Sequence, residues 1–274
     1  MRTFDTPDNL VELLDGVVRA AAKTTFYSGF LRGLAGVSSL EEFADIPITS
    51  IKRYRRQRLA DVLAEPKQVD WIVGPYRGQS ADSVAVAEGA SEGEYRYDVF
   101  ADAVKECLSL DEVRSSAVIA SSKRRQFGAE VATILIYAGV PSHLFIDYGD
   151  ERTYERLRHV QPDVLVAATE PLDESRLPSG TGLCVTVRQS QALHQFRQLD
   201  MYMVDELGFL GQSTDGRRYS LNRDLYYFET SDAGNLVVTP LYNKVQPMLR
   251  IQVPDRVKQT DTDPIEFIDL AAEG

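Results

Sequence analysis

From Val69 to Val204, short apolar or β-branched runs alternate with helical segments, and this alternation narrows the available folds more than any other feature of the chain. The runs are Asp70–Val73, Ser83–Ala87, Ala117–Ala120, Leu144–Ile146, Val164–Ala167, Leu183–Val187 and Met201–Val204. Between most of them lie stretches with helical spacing: Tyr97–Leu108, Gln126–Ala138, Glu151–His159 and Gln189–Gln198. Parallel strands need long crossovers, and helices of this length supply them. The pattern therefore predicts βαβ units, an α/β fold with a mainly parallel sheet flanked by helices. After Gly208 the texture becomes β-rich. Leu225–Glu229, Asn235–Leu241 and Met248–Val253 read as strands, with Asp232-Ala233-Gly234 as a hairpin turn.

The N-terminal part is helical. In Asn9–Lys23 the residues Leu10, Leu13, Leu14, Val17 and Val18 recur three and four apart, one face of a helix. Ser38, with Glu41 three positions later, has capping-box spacing and predicts a short helix that stops before Pro47. Thr49 stands where it would cap a third helix running to about Ala64, ahead of Pro66. With no repeat and no low-complexity linker, the expected organisation is one continuous domain. Its parts are a helical segment 1–68, a core 69–258 ending in a β-rich subdomain, and an acidic tail 259–274, loosely ordered or docked as a short strand.

Charge and chemistry-bearing residues exclude several classes. The chain of 274 residues carries 41 acidic and 30 basic side chains, a net charge of −11, which argues against a general nucleic-acid binder with its broad basic face and leaves room for a local basic patch. Cys107 and Cys184 lie far apart with no CxxC, which speaks against a disulfide framework or a zinc site and reads as core filler. His143, His159 and His194 stand alone, without a carboxylate or Cys at ligand spacing. Gly78-Gln79-Ser80-Ala81-Asp82 lacks the second glycine of a nucleophile elbow, and no GxGxxG follows the first strand. No run approaches the ~18 apolar residues of a membrane span, and the acidic start lacks the shape of a signal peptide. A cytoplasmic protein is expected.

Two basic clusters remain. Lys52-Arg53-Tyr54-Arg55-Arg56-Gln57-Arg58 holds five cations in seven residues. They cannot share one helix face, so most are solvated; the functional alternative is an anionic partner such as a carrier protein, a phosphate-bearing ligand or a second subunit. Ser121-Ser122-Lys123-Arg124-Arg125 falls where a strand meets a helix, at the strand end where ligands of parallel sheets collect.

A series of segments in one order resembles the phenylacetate–CoA ligase-like branch of the adenylate-forming (AMP-binding) superfamily. Thr25-Phe26-Tyr27 followed by Leu40-Glu41-Glu42-Phe43-Ala44-Asp45-Ile46-Pro47-Ile48-Thr49 is similar to that family's opening, an "FY" helix before "sleel..lPit.k". Met201-Tyr202-Met203-Val204-Asp205-Glu206-Leu207-Gly208 resembles its "YGxTExG". Leu225-Tyr226-Tyr227-Phe228-Glu229 resembles ".yy.E", and Gly234-Asn235-Leu236-Val237-Val238-Thr239-Pro240-Leu241 resembles "GeLvlT.L". Gln246-Pro247-Met248-Leu249-Arg250-Ile251-Gln252-Val253-Pro254-Asp255 resembles ".PliRYrtGD". The likeness runs from about Thr25 to Lys258 and implies the fold of the large N-terminal domain of adenylate-forming ligases.

It also implies roles. Glu206 would be the acidic, catalytic group beside magnesium and the phosphates of ATP, and the metal ligand. Asp255 would grip the ribose hydroxyls of ATP or AMP, with Arg250 the cation of the same segment and Tyr202 beside the nucleotide. The departures are equally specific. Where the family has its phosphate loop, "SGTTGxP", this chain has Arg77-Gly78-Gln79-Ser80-Ala81-Asp82-Ser83-Val84-Ala85-Val86, in which only Gly78, Ser80 and Ser83 suit such a part. Asp82 would carry negative charge towards a triphosphate. Pro254 replaces the glycine before the aspartate, fixing φ and removing a donor. Only 19 residues follow Asp255, too few for the family's lysine-bearing C-terminal domain.

The expected function is therefore a shortened, divergent homologue that is not a stand-alone ligase. It would act as a binding or accessory protein in aryl or acyl acid biosynthesis, with a partner protein. The alternative is an active acid-activating enzyme, forming adenylates or thioesters from a small carboxylic acid at a repurposed or partner-completed site. A third reading is an unrelated α/β protein. A homodimer is implied by family habit alone.

Overall fold

The computed structural model describes residues 7–31, 33–73, 85–94, 98, 101–102, 113–120, 125–137, 139–146, 151–168, 174–187, 195–204, 206–258 and 264–269. The chain divides into two compact units, one built on Arg96–Ser220 and one on Thr3–Pro75, Ser80–Tyr95 and Leu221–Gly274. In chain order the elements that open the second of these are α1 (Leu10–Ala22), α2 (Thr25–Ser28), α3 (Leu40–Ala44), β1 (Thr49–Ser50), α4 (Ile51–Arg55), α5 (Leu59–Val62), β2 (Trp71–Val73) and β3 (Val86–Glu88). The other unit then contributes β4 (Ser116–Ala120), α6 (Arg125–Tyr137), β5 (Ser142–Ile146), α7 (Glu151–Val160), β6 (Val164–Ala168), β7 (Leu183–Val187), β8 (Arg197–Val204), β9 (Gly208–Ser213) and β10 (Arg218–Leu221). The chain closes with β11 (Tyr226–Thr230), β12 (Asn235–Pro240), β13 (Ile251–Val257) and β14 (Ile265–Asp269).

In the Arg96–Ser220 unit the strand order is β5-β4-β6-β7-β8-β9-β10. The first five are parallel, with Ser116 opposite both Ser142 and Val164, and Leu183 opposite Arg197. β9 returns antiparallel to β8. Strand β4 is buried on both faces, as its unbroken apolar sequence requires. Ala117 and Ile119 pack with Tyr154 and Leu157 of α7, Leu165 and Ala167 of β6, and Cys184 of β7. The alternate residues Val118 and Ala120 face α6, where Gly128 comes so close that a Cβ there would lie 2.7 Å from the Cβ of Ala120. One helix covers each face of β4, the doubly covered parallel arrangement that the alternation implies. Burial pushes the Cys184 thiol up to about 12, the behaviour of core filler.

In the other unit β12 pairs antiparallel with β11 and β13, and β13 also pairs with β14 and, in parallel, with β1. The β11–β12 turn is built as the sequence predicts: Gly234 sits at φ 79° and its amide donates to the Ser231 carbonyl at 2.8 Å. Helix α1 buries Leu10, Leu14, Val17 and Val18, its periodic face. Buried hydroxyls then tie the helical segment to the loop before β13. The Tyr27 hydroxyl accepts from the Leu249 amide at 2.9 Å, and burial pushes its pKa well up. The Tyr54 hydroxyl accepts from Gln246 at 3.0 Å, while the Gln246 side-chain carbonyl accepts from the Ala87 amide at 2.6 Å. The acidic segment before the C-terminus supplies β14, with Val257 opposite Phe267.

The structure corrects several sequence expectations. The capping box is displaced by one residue: the Ser39 side chain accepts from the Glu42 amide at 3.2 Å, and the Glu42 carboxylate accepts from the hydroxyl of Ser38 at 2.9 Å and from its amide at 2.6 Å. The single helix expected after Thr49 is two, α4 and α5. Ser50 caps the first, because Thr49 is drawn into a strand opposite Ile251. The helix expected over Gln189–Gln198 cannot extend to its end, since β8 begins at Arg197, well before Met201. Its polar residues Gln198 and Asp200 hide that strand in the sequence, yet both are buried. Strand β13 starts at Ile251 rather than Met248, because Arg250 adopts φ 45°, which no strand tolerates. Most of Tyr97–Leu108 lies outside the described residues.

Candidate functional site

Tyr202 and Glu206 sit on one hairpin. Val204 pairs with Gly208, the Leu207 amide donates to the Val204 carbonyl at 3.0 Å, and Gly208 takes φ 78°. This is a three-residue loop closed by a left-handed glycine, so the Gly208 of the sequence motif has a backbone reason to be there. Glu206 is carried in that turn and is 4% exposed; Tyr202, in β8, is fully buried with its ring edge-on to Tyr219 at 6.0 Å.

Below the turn, β8 carries a polar cluster that the sequence reading missed. Asp200 is fully buried, and its carboxylate accepts from the Thr186 hydroxyl at 2.6 Å and from the Tyr219 hydroxyl. Gln198 donates to the Thr186 hydroxyl at 3.0 Å. Hydroxyl donors from β7 and β10 offset part of the cost of burying a carboxylate and pin the three strands in register. The available clue was slight: Thr186 is a polar residue inside the apolar run Leu183–Val187, while Gln198 and Asp200 fall outside the run that marks β8.

Arg250 and Asp255 belong to the other unit. Asp255 lies on the inward face of β13, where Ile251, Val253, Asp255 and Val257 are buried and Pro254 and Arg256 point out. Pro254 stands in a bulge. Asn235 pairs with Arg256 and Val237 with Gln252, so Leu236 faces three residues of β13. A bulge accommodates a residue that cannot donate to the ladder. The Asn235 side chain donates instead to the Pro254 carbonyl at 3.0 Å. Asp255 is fully buried as a result of its inward position.

The Arg250 guanidinium faces the protein. Its Nε donates to Glu229 Oε2 at 3.0 Å and one Nη to Oε1 at 2.9 Å, a bidentate pair. The other Nη donates to the carbonyls of Ala44 and Ile46, at the end of α3. Four of its five N–H groups are thereby used within the protein. Burial pushes the Glu229 carboxyl up, against the lowering effect of Arg250, and burial likewise raises Tyr227 beside it. In this structure Arg250 fastens α3 to β11.

The segment likened to a phosphate loop spans the connection between the antiparallel strands β2 and β3, with Trp71 opposite Glu88. Ser80 and Ser83 themselves lie outside the described residues, as do Ser121–Arg124, Cys107 and His194. His143 and His159 are exposed. Among the described residues no three His, Cys, Asp or Glu side chains gather as a metal site. Magnesium keeps most of its water and takes one or two carboxylates, and a buried Glu206 offers no face to such a hydrated ion. Among the described residues no helix is long and apolar enough to cross a membrane.

Comparison by structure places this architecture among known folds. A 2-hydroxyisobutyryl-CoA ligase, solved with 2-HIB-AMP and CoA, matches with a TM-score of 0.68 over 94% of this chain at 16% identity. The acyl acid amido synthetase AtGH3.15, in complex with 2,4-DB, matches over 97% with a TM-score of 0.58 at 11% identity, covering 68% of that chain. The amide bond synthetase McbA from Marinactinospora thermotolerans matches over 74% with a TM-score of 0.51 at 14% identity. The chain spans 65% of the CoA ligase's length and 49% of McbA's. Scanning the sequence against protein-family models, and searching the curated proteins with it, returns no match. The fold is that of the large N-terminal domain of adenylate-forming ligases.

Proposed function

We propose that this chain uses an adenylate-forming-ligase scaffold as a binding or accessory protein of aryl or acyl acid biosynthesis, and that it does not form adenylates by itself. One observation carries the reading. The described residues that the family resemblance assigns to the nucleotide are shut away from solvent: Tyr202 and Asp255 at 0%, Glu206 at 4% and Arg250 at 9% exposure. A side chain that grips a ligand must present atoms to the space the ligand fills. A fully buried carboxylate cannot accept hydrogen bonds from ribose hydroxyls without local opening. Arg250 would have to give up a bidentate ion pair and two carbonyls before reaching a phosphate, which costs several kcal/mol for a buried pair. The sequence adds Asp82 in the segment likened to the phosphate loop, where it opposes a triphosphate.

The scaffold's relatives set the test. One neighbour holds an acyl-adenylate with CoA and another holds an acid, so the relevant ligands are small carboxylic acids, their adenylates and their thioesters. Acid-dependent exchange of pyrophosphate into ATP, measured with a panel of aryl, aryloxy and hydroxyacyl carboxylates, should stay at background for this chain alone. Exchange above background with any of them would overturn the reading and make the chain an acid-activating enzyme with a repurposed site.

A further inference from the structure

We infer that Lys52, Arg53 and Arg56 form a docking surface for a carboxylate-rich segment of a partner protein. The inference rests on the accessory reading and names the face through which the partner would be held. The chain carries 41 acids against 30 bases, yet no acid occurs between Asp45 and Asp61. Five cations fall in that gap, and the structure sorts them. Arg58 is spent on Asp61, in a bidentate pair at 2.7 and 2.9 Å, and Arg55 is half-buried and engaged within the protein. Lys52, Arg53 and Arg56 are exposed, and their side chains make no ion pair or hydrogen bond with any described residue.

These three share a neighbourhood. Lys52 and Arg56 are four residues apart at α4 and its C-cap, hence on one face. Arg53 is not a loose surface arginine. Its guanidinium lies 5.7 Å from the ring centre of Phe26 and 5.5 Å from that of Phe30. Those rings meet edge to face at 5.5 Å, and Phe26 also meets buried Tyr54 at 5.9 Å. The aromatic base holds the planar fork in place with its donors unused, so little side-chain freedom is lost when a carboxylate arrives.

The spacing selects the ligand. An exposed ion pair contributes only about 0.2–1 kcal/mol, so a small monovalent anion would be held weakly by any one of these groups. Useful affinity requires several acids presented together, as on the acidic face of a helix or an acidic loop. Three cations over little more than one helical turn neutralise few phosphates, which limits affinity for a long polyphosphate. At about 0.1 M salt the screening length is about 10 Å, so the chain's remote acids do not cancel the local field at short range.

The test uses the full chain and fluorescein-labelled poly-L-glutamate, read by fluorescence anisotropy at low and moderate salt. Wild-type protein should bind saturably, and more weakly as salt rises. Lys52→Glu/Arg56→Glu should lower affinity at least about tenfold. The control Arg152→Glu/Arg156→Glu makes the same charge change at exposed positions of α7 and should bind within about twofold of wild type. Arg53→Lys keeps the charge but loses the planar stack, and should fall between wild type and the double variant. Equal losses in the two double variants would overturn the proposal, since overall charge alone would then explain binding. So would absent binding by wild type, or tighter binding to single-stranded DNA or to phosphatidylserine vesicles than to polyglutamate. Pyrophosphate exchange by a chain that binds polyglutamate through Lys52 and Arg56 would refute the accessory reading and leave the docking face standing.

Discussion

Replacing Arg250 with Met should cost the fold about 3–5 kcal/mol, the usual penalty for breaking a buried ion pair from one side. The structure supplies the reasons. The Arg250 and Glu229 side chains are only 10% and 15% exposed, so neither charge is well solvated once its partner is gone. Two carbonyls at the end of α3, those of Ala44 and Ile46, lose their donor as well. Against a total stability of about 5–15 kcal/mol, this is a large fraction, and urea denaturation should show it as a lower midpoint at an unchanged slope. The pH dependence makes the test specific. Burial already raises the folded-state pKa of Glu229, with Arg250 opposing the rise. A raised folded pKa means that ionised Glu229 costs stability at neutral pH, and that the cost fades as pH falls through that pKa. Removing Arg250 deletes the opposing influence and lifts the pKa further. The variant's deficit should therefore be largest at pH 7 and shrink on acidification towards pH 5, and Glu229→Gln in the Arg250→Met background should recover part of it at pH 7. A deficit below about 1 kcal/mol, or one independent of pH, would refute the argument and reduce the pair to an exposed salt bridge.

Three further outcomes are expected. Gly128→Ala should destabilise by about 1–3 kcal/mol in thermal melts despite alanine's better helix propensity, because the new methyl would lie 2.7 Å from the Cβ of Ala120; Ala120→Gly should relieve it, and a stabilised Gly128→Ala would contradict the packing. Tyr219→Phe removes a donor from fully buried Asp200 and should cost about 1–3 kcal/mol in urea denaturation, whereas an unchanged midpoint would remove that hydrogen bond from the core's support. For Asp215, partial burial works against the charge, yet the amides of Arg218 and Arg217 with Ser213 and the Arg218 side chain hold its pKa down at about 2. Its contribution is thus complete above the unfolded value of 3.8 and lost as pH falls through about 2, so the deficit of Asp215→Asn should close across that interval; a deficit that stays constant would contradict the assignment.

Much of the scaffold was legible because local chemistry agrees with the fold. The apolar runs at Ala117–Ala120, Val164–Ala167 and Leu183–Val187 read as strands of a parallel sheet, and they pair as such. Gly234 marks a turn because the backbone there needs a positive φ. What failed was set by distant parts of the chain. Thr49 reads as a helix cap until a strand 202 positions later offers its backbone a partner at Ile251. Strand β8 starts early because Asp200 finds Thr186 and Tyr219, donors on two other strands. The same holds at the candidate site. The residue types of Glu206, Arg250 and Asp255 suit a nucleotide, and the order of motifs points to the scaffold. Nothing in the sequence says that Glu229 and α3 take up the Arg250 guanidinium, or that the alternation of β13 turns Asp255 inward.

The proposed function requires that Tyr202, Glu206, Arg250 and Asp255 bind no nucleotide, and a thermal-shift titration with AMP and with ATP and magnesium tests it most directly. A ligand bound only by the folded chain adds about 2.7 kcal/mol at 100 times its Kd. For a protein of this size that is a rise in Tm of roughly 5 °C or more. The account predicts no saturable shift with either nucleotide, in a chain that melts cooperatively, and the same melting curve for Asp255→Asn with and without nucleotide. A saturable shift in the wild type that Asp255→Asn abolishes would contradict it, and would place Asp255 on the nucleotide after all.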